Sequence, residues 1–251
     1  MELSHRPWEP EALDVTLEQG RPEGNSILGA LPADDFERLQ PKLSLTPLRV
    51  KNVLFEPGAP IDVIYFPIDG VVSLVTPLRD GAIVEVATIG NEGIVGVPYF
   101  LRGALAVRAI ALVKGRALQI KAADFRAEVT SPGPLCDLAQ SYAQALFSQV
   151  AQTAACNRLH SNEQRLSRWL LMSHDRVGRD TFDITQEFLG QMLGSRRVTV
   201  TRSACSLQAA GLIRYHRGHL TIVDRHGLED AACECYRVIE KELARPLALA
   251  T

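Results

Sequence analysis

The stretch Ile184-Thr-Gln-Glu-Phe-Leu-Gly-Gln-Met-Leu-Gly-Ser-Arg-Arg-Val-Thr-Val-Thr-Arg202 decides how the rest of the chain is read. Thr185 stands where a helix N-cap belongs, and Gly194 breaks the helix that follows it. Ser195 is then placed to cap a second helix over residues 196–210. Two helices joined by a tight glycine turn form a helix-turn-helix unit, whose geometry imposes spacing rules. A small residue is required where the helices cross, and Gly190 sits there. Four residues later the turn needs a positive φ, which Gly194 adopts without a Cβ clash. Six further on the second helix needs a buried apolar residue. Val200 fits, and Ala204 and Leu207 continue the same face.

The opposite face of that helix, with its leading residues, reads Ser195, Arg196, Arg197, Val198, Thr199, Thr201, Arg202. Arginine bonds phosphate and the O6/N7 edge of guanine, and threonine contacts phosphate or a thymine methyl. Between residues 188 and 223 there is no Asp or Glu, but there are five arginines, at 196, 197, 202, 214 and 217. This is the pattern expected of a face that meets double-stranded DNA. Two apolar runs, 212–216 and 219–223, then flank Arg217-Gly218, which predicts a β-hairpin with Arg217 at its tip. A hairpin directly after such a helix is a wing.

Working outward, residues 162–176 form a helix with Leu166, Trp169 and Leu170 inward. Before it, residues 135–157 carry apolar or small side chains at Leu135, Leu138, Tyr142, Leu146, Val150 and Thr153, in steps of three and four. The back of this long helix is almost uncharged, which suits a seam between subunits at Leu138, Tyr142, Leu146, Gln149 and Thr153. Packing against the chain's own barrel is the alternative. Residues 25–134 have the texture of short β-branched strands, at 62–66, 70–76, 82–88 and 109–113, punctuated by Gly and Pro turns. They predict a β-barrel or sandwich preceded by a short helix at 32–40. Residues 1–24 are acidic and read as a mobile leader, and residues 227–243 as a helical tail. The fold class is therefore α+β, with a sensor domain at 25–134, a dimerisation helix at 135–160 and a DNA-binding domain at 161–251.

Composition narrows the function classes. The chain has 251 residues, 46% hydrophobic and 22% charged, with a net charge of −2. It is globular in composition and not a polycation, so a nucleic-acid role belongs to a local patch. Residues 1–24 lack the apolar core of a signal peptide, and the least charged stretch, 138–157, carries four glutamines, so neither secretion nor a membrane span is expected. The five cysteines, at 136, 156, 205, 233 and 235, read as reduced thiols of a cytoplasmic protein. No P-loop, G-x-G-x-x-G or nucleophile–base spacing points to an enzyme.

A β-roll, a long helix and a winged helix-turn-helix, in this order and at this length, resemble the Crp/Fnr family of bacterial transcription regulators. The resemblance covers about residues 25–225 and is most specific at 184–202, where Arg197, Thr199, Val200 and Arg202 match the family's recognition helix. It implies a cyclic-nucleotide-binding-like β-roll and a homodimer that reads a roughly palindromic operator through residues 196–210. A signal at the roll would control it, and RNA polymerase would be a further partner. Val198 stands where the family carries a base-reading glutamate, which implies a different half-site.

The sensor half departs further. Val97 replaces the glutamate that family members use for the ribose, Val107-Arg108 replaces the arginine-serine pair for the phosphate, and Val150-Ala151 replaces the polar pair for the base. These losses argue against cAMP and cGMP. Gly96, Arg102 and Arg108 leave room for another nucleotide or anion. No cofactor is expected. Cys156 and His160 have a spacing that could ligate a metal, but they read as ordinary interface residues. Cys233-Glu-Cys235 is a weak metal signal, since two thiols at this spacing on a helix point apart. No metal site is expected. The alternatives are an interaction protein that keeps the roll without binding DNA, and a regulator with no small-molecule effector.

Overall fold

The computed structural model describes residues 17–18, 21–22, 24–97 and 106–248. The leader lies largely outside them, apart from a two-residue strand pair, Leu17–Glu18 with Arg21–Pro22. Two short helices, α1 (Ser26–Gly29) and α2 (Ala33–Leu39), lead into the roll. Its strands are β1 (Ser44–Leu48), β2 (Val53–Phe55), β3 (Val63–Pro67), β4 (Val71–Pro77), β5 (Ile83–Ile89), β6 (Arg108–Val113) and β7 (Gly115–Lys121). They form two antiparallel sheets, ordered β1-β7-β3 and β2-β6-β4-β5. Helix α3 (Ala122–Thr130) closes one end of the roll, its Phe125 ring set edge-on to Phe66 at 6.0 Å.

Beyond the roll run α4 (Pro134–Leu159), α5 (Asn162–Val177), β8 (Thr181–Asp183), α6 (Gln186–Met192) and α7 (Arg197–Ala209). They are followed by β9 (Ile213–His216), β10 (His219–Ile222), α8 (Arg225–Ala231) and α9 (Cys235–Ala248). Pro134 opens α4, where a missing N–H costs nothing, and Asp137 and Arg158 complement its two ends. Ser161 starts α5 through a reciprocal capping box with Gln164, at 3.2 and 3.0 Å. Only His160 and Ser161 separate the two helices.

The face of α4 read as a subunit seam is turned into its own chain. Leu138, Tyr142, Leu146, Gln149 and Thr153 are all buried without a second copy present. Gln149 donates its amide to the backbone oxygen and the hydroxyl of Thr88 on β5, at 3.2 and 3.3 Å. The roll and α9 supply the rest of the cover. The side left open is a narrower stripe: Gln140, Gln144, Phe147, Ala151, Ala154 and Arg158, again in steps of four and three. Phe147 is 73% exposed at its centre. The helical tail read at 227–243 is two helices, broken at 232–234. The three-stranded wing sheet, ordered β8-β10-β9, includes a strand that the hairpin reading missed.

Among the described residues no helix is long and apolar enough to cross a membrane.

Candidate nucleic-acid interface

Thr185 caps α6, its hydroxyl accepting the Phe188 N–H at 3.2 Å. The chain then turns so tightly that a Cβ on Gly190 would stand 2.9 Å from the Ser195 carbonyl, inside any real contact distance. Ser195 N–H donates to the Gly190 carbonyl at 2.8 Å, and Gly194 takes φ +56°. The cap of α7 falls one residue later than expected. Arg196 has the extended cap conformation, while Ser195 hydrogen-bonds Asn162 at the start of α5. Its hydroxyl therefore fastens the turn to α5 and is not aimed outward.

Helix α7 buries Val200, Ser203, Ala204 and Leu207. Its outer face exposes Arg196, Arg197, Val198 and Arg202, with Val198 70% exposed. Thr199 and Thr201 are half-buried, and the Thr201 hydroxyl donates to Gln186 Oε1 at 2.8 Å, tying α7 to α6. Cys205, which the sequence reading left out, lies one turn beyond Arg202 and is also exposed. Among the described residues, none of Arg196, Arg197, Arg202, Arg214 and Arg217 is held in an ion pair. Their charge is free for an outside anion.

The wing is rigidly joined to this face. Gln208 of α7 accepts the Tyr215 N–H at 2.8 Å, and the Tyr215 hydroxyl donates to the Ile184 carbonyl at 2.8 Å. Arg217 and Gly218 turn the hairpin with φ +48° and +86°, the pattern of a type I′ turn, and leave Arg217 exposed at the tip.

On the sensor side Gly96 has φ +105°, and a Cβ there would fall 2.6 Å from Ile64 Cδ1. Val97 is buried. Arg108 Nε donates to Glu56 Oε2 at 2.7 Å. Arg102 lies outside the described residues.

The roll meets the DNA-binding half directly, through Trp169 and through Glu85, Glu92 and Arg176, which the sequence did not single out. Glu85 of β5 is buried beneath α5 and accepts hydrogen bonds from Trp169 Nε1 at 2.9 Å and Ser73 Oγ at 2.6 Å. Burial pushes its carboxyl up to about 7, against the hydrogen bonds and the nearby Arg168 and Arg176. Arg176 pairs with Glu92 at 2.7 Å and donates to the Thr88 hydroxyl at 2.6 Å. A cavity of about 240 Å³ opens beside that pair, between α5 and α9.

The cysteines also assemble differently from the expectation. Cys233 precedes α9 in a turn, so its thiol and that of Cys235 converge, beside Cys156 and His160. A hydrogen bond with Cys233 holds the Cys156 thiol well below the usual thiol range.

Comparison with known proteins agrees with this architecture. Residues 46–131 match the cyclic nucleotide-binding domain, and residues 164–231 match the Crp-like helix-turn-helix domain. The chain is 26% identical over 184 residues to a global nitrogen regulator of Synechococcus elongatus, covering 68% of this chain and 82% of that one. Among solved structures, a Crp/Fnr-family regulator chain from Eubacterium rectale superposes with a TM-score of 0.63 at 18% identity, over 80% of this chain and 94% of that one. FixK2 from Bradyrhizobium japonicum gives 0.65 at 14% identity, over 76% and 98%. At these identities the two structures speak for the fold.

Proposed function

The chain belongs to the Crp/Fnr family of transcription regulators, not to an enzyme family, and on that premise we propose that two copies together read a two-fold-related DNA operator. The observation that carries the reading is the exposed, unpaired arginine face of α7, set beside a wing whose tip is also an arginine. Arg197, Val198 and Arg202 contact base edges, while Arg196, Thr199 and Arg217 contact phosphates. Ser195 and Thr201 support the face from behind, since both hydroxyls are engaged within the chain.

The two chains pair along the outward stripe of α4, with Phe147 at its centre. An exposed phenylalanine on a charge-poor 3-4 stripe supports this seam better than the buried face does. Pairing places two α7 helices about 34 Å apart, one turn of DNA. A signal at the roll acts through the contacts of Glu85 with Trp169 and of Glu92 with Arg176, which fix α5 and everything built on it. The burial of Val97 and the pairing of Arg108 with Glu56 support an effector other than cAMP or cGMP, with another nucleotide or anion as its class. Double-stranded DNA and RNA polymerase are the chain's partners, in the cytoplasm.

Selection of duplexes from a random-sequence library by the full chain tests it. An enriched motif with two inverted half-sites about 10 base pairs apart is the expected outcome. Binding that is absent, or equal for all sequences, overturns it.

A further inference from the structure

Four donor side chains meet at the joint between α4 and α5, all of them outside the two matched domain ranges. Cys156 and His160 stand one turn apart at the end of α4. Cys233 and Cys235 flank Glu234 in the turn that leads into α9. Their four donor atoms lie within 4.8 Å of one another. Cys156 Sγ is 3.5 Å from Cys233 Sγ, and Cys235 Sγ is 3.4 Å from His160 Nδ1. A tetrahedral ion bonded to sulfur at about 2.3 Å and to nitrogen at about 2.0 Å holds its donors roughly 3.5–3.8 Å apart. These two spacings match that geometry, and a set of donors all within 4.8 Å of one another is too tight to enclose a multi-iron cluster.

The surroundings offer these donors outer partners as well. His160 turns its other nitrogen, Nε2, to Glu234 Oε1 at 3.3 Å, the carboxylate partner that fixes a ligand histidine in one tautomer. Gln152 donates its amide to Cys235 Sγ at 3.0 Å. Three thiolates around a divalent ion leave one net negative charge. The buried Arg165 and Arg168 lie close enough to the Cys156 sulfur to interact with that charge. Cys156, Cys233 and Cys235 are buried and form a small core of their own, apart from the main one.

We propose that Cys156, His160, Cys233 and Cys235 bind one zinc ion in a closed, four-coordinate site that staples the start of α9 to the α4–α5 joint. On binding, each thiol releases its proton to solvent. Neutral His160 gives the lone pair of Nδ1 and keeps its proton on Nε2, toward Glu234. With four protein ligands there is no open position, so the ion is structural and does no chemistry on a substrate. Its place matters because His160 is the last residue before the α5 cap. One turn into α5, Arg165 donates to the Leu193 carbonyl in the turn that sets α7. The site stands independently of the proposed function, because its test involves no DNA.

The test uses the full chain, purified under reducing conditions without chelator. Elemental analysis is expected to find one zinc per chain. Exchange for cobalt(II) is expected to give the intense visible and sulfur-to-metal absorption of a tetrahedral thiolate site. The Cys233→Ser/Cys235→Ser double variant loses both signals. Glu234→Gln keeps the cobalt spectrum and weakens the affinity about 10- to 100-fold. Chelation of the native chain speeds hydrogen exchange in 235–248 ahead of the roll. Wild-type protein that takes up neither zinc nor cobalt overturns the proposal, whatever the variants do. So does a cobalt spectrum unchanged in the double variant, or a Cys156–Cys233 disulfide in protein purified anaerobically.

Discussion

Trp169 donates its indole N–H to the buried carboxylate of Glu85 at 2.9 Å, so the first helix after α4 is fastened to the roll through a group that titrates. Burial raises that carboxyl from 4.5 to about 7, which means the folded chain binds its proton more tightly than the unfolded one. The resulting stability is fully present below about pH 4.5 and is lost as pH rises through about 7. The contact between roll and α5 should loosen between about pH 4.5 and 7, by at most about 3 kcal/mol. Trp169 reports this directly once the other tryptophan is removed by Trp8→Phe. Its emission should shift to the red with a midpoint near 7. Glu85→Gln keeps a hydrogen-bond acceptor for Trp169 and should abolish the shift; a variant with the same titration would assign it to another group.

Two adjacent residues of α4 separate folding from pairing. Leu146 is buried within the chain and Phe147 is 73% exposed. Leu146→Glu places an unpaired charge in the core and should destabilise the chain by about 3 kcal/mol or more. Phe147→Glu should leave the melting temperature of each chain nearly unchanged and convert dimers to monomers. Sedimentation velocity with parallel melting curves checks both. A Phe147→Glu protein that stays dimeric would move the seam off the outward stripe.

Gly190 makes a sharper point about the turn. A Cβ there meets the Ser195 carbonyl at 2.9 Å, and that backbone cannot retreat without moving the start of α7. Gly190→Ala should therefore cost about 1–3 kcal/mol and displace the arginine face. Circular dichroism should show retained helix, while DNA affinity falls at least as far as in Arg202→Ala. Unchanged affinity would mean that the two helices cross elsewhere.

The helix-turn-helix could be read because its constraints are local. Gly190 and Gly194 answer to backbone requirements and Val200 to burial, all within ten residues of one another. The strands of the roll showed themselves in the same way, through β-branched runs between turns. The orientation of α4 could not be read, because both of its faces are small or apolar and nearly uncharged. Only the docking of α9 and β5 decides which one is buried. The cysteine cluster stayed hidden for a related reason. Cys156 and Cys233 lie 77 residues apart, and no glycine or proline marks the break before α9 that lets Cys233 and Cys235 converge. Glu85 reads as one polar residue in a β-branched run until α5 covers it.

The recognition helix carries the most demanding expectation. Arg202 and Arg217 are both exposed and unpaired, yet they should fail differently. A bidentate contact from Arg202 to guanine predicts that Arg202→Ala costs about 1–3 kcal/mol and relaxes one position per half-site. A phosphate contact from Arg217 predicts that Arg217→Ala weakens all duplexes alike and lowers the salt slope by about one per half-site. Between Arg197 and Arg202, Val198 projects 70% exposed from the first turn of α7, where it offers methyl groups and no hydrogen-bond acceptor. It favours a thymine methyl over a cytosine amino group. Val198→Glu reverses that choice, since a carboxylate accepts from cytosine N4 and gains nothing from the methyl. Selection from the same random library with both proteins should enrich two motifs that differ at one position per half-site. Competition binding should then show each protein preferring its own motif by roughly 1–3 kcal/mol per half-site. Identical motifs would mean that Val198 does not face the bases, and that α7 enters the groove turned about its axis from the orientation proposed here.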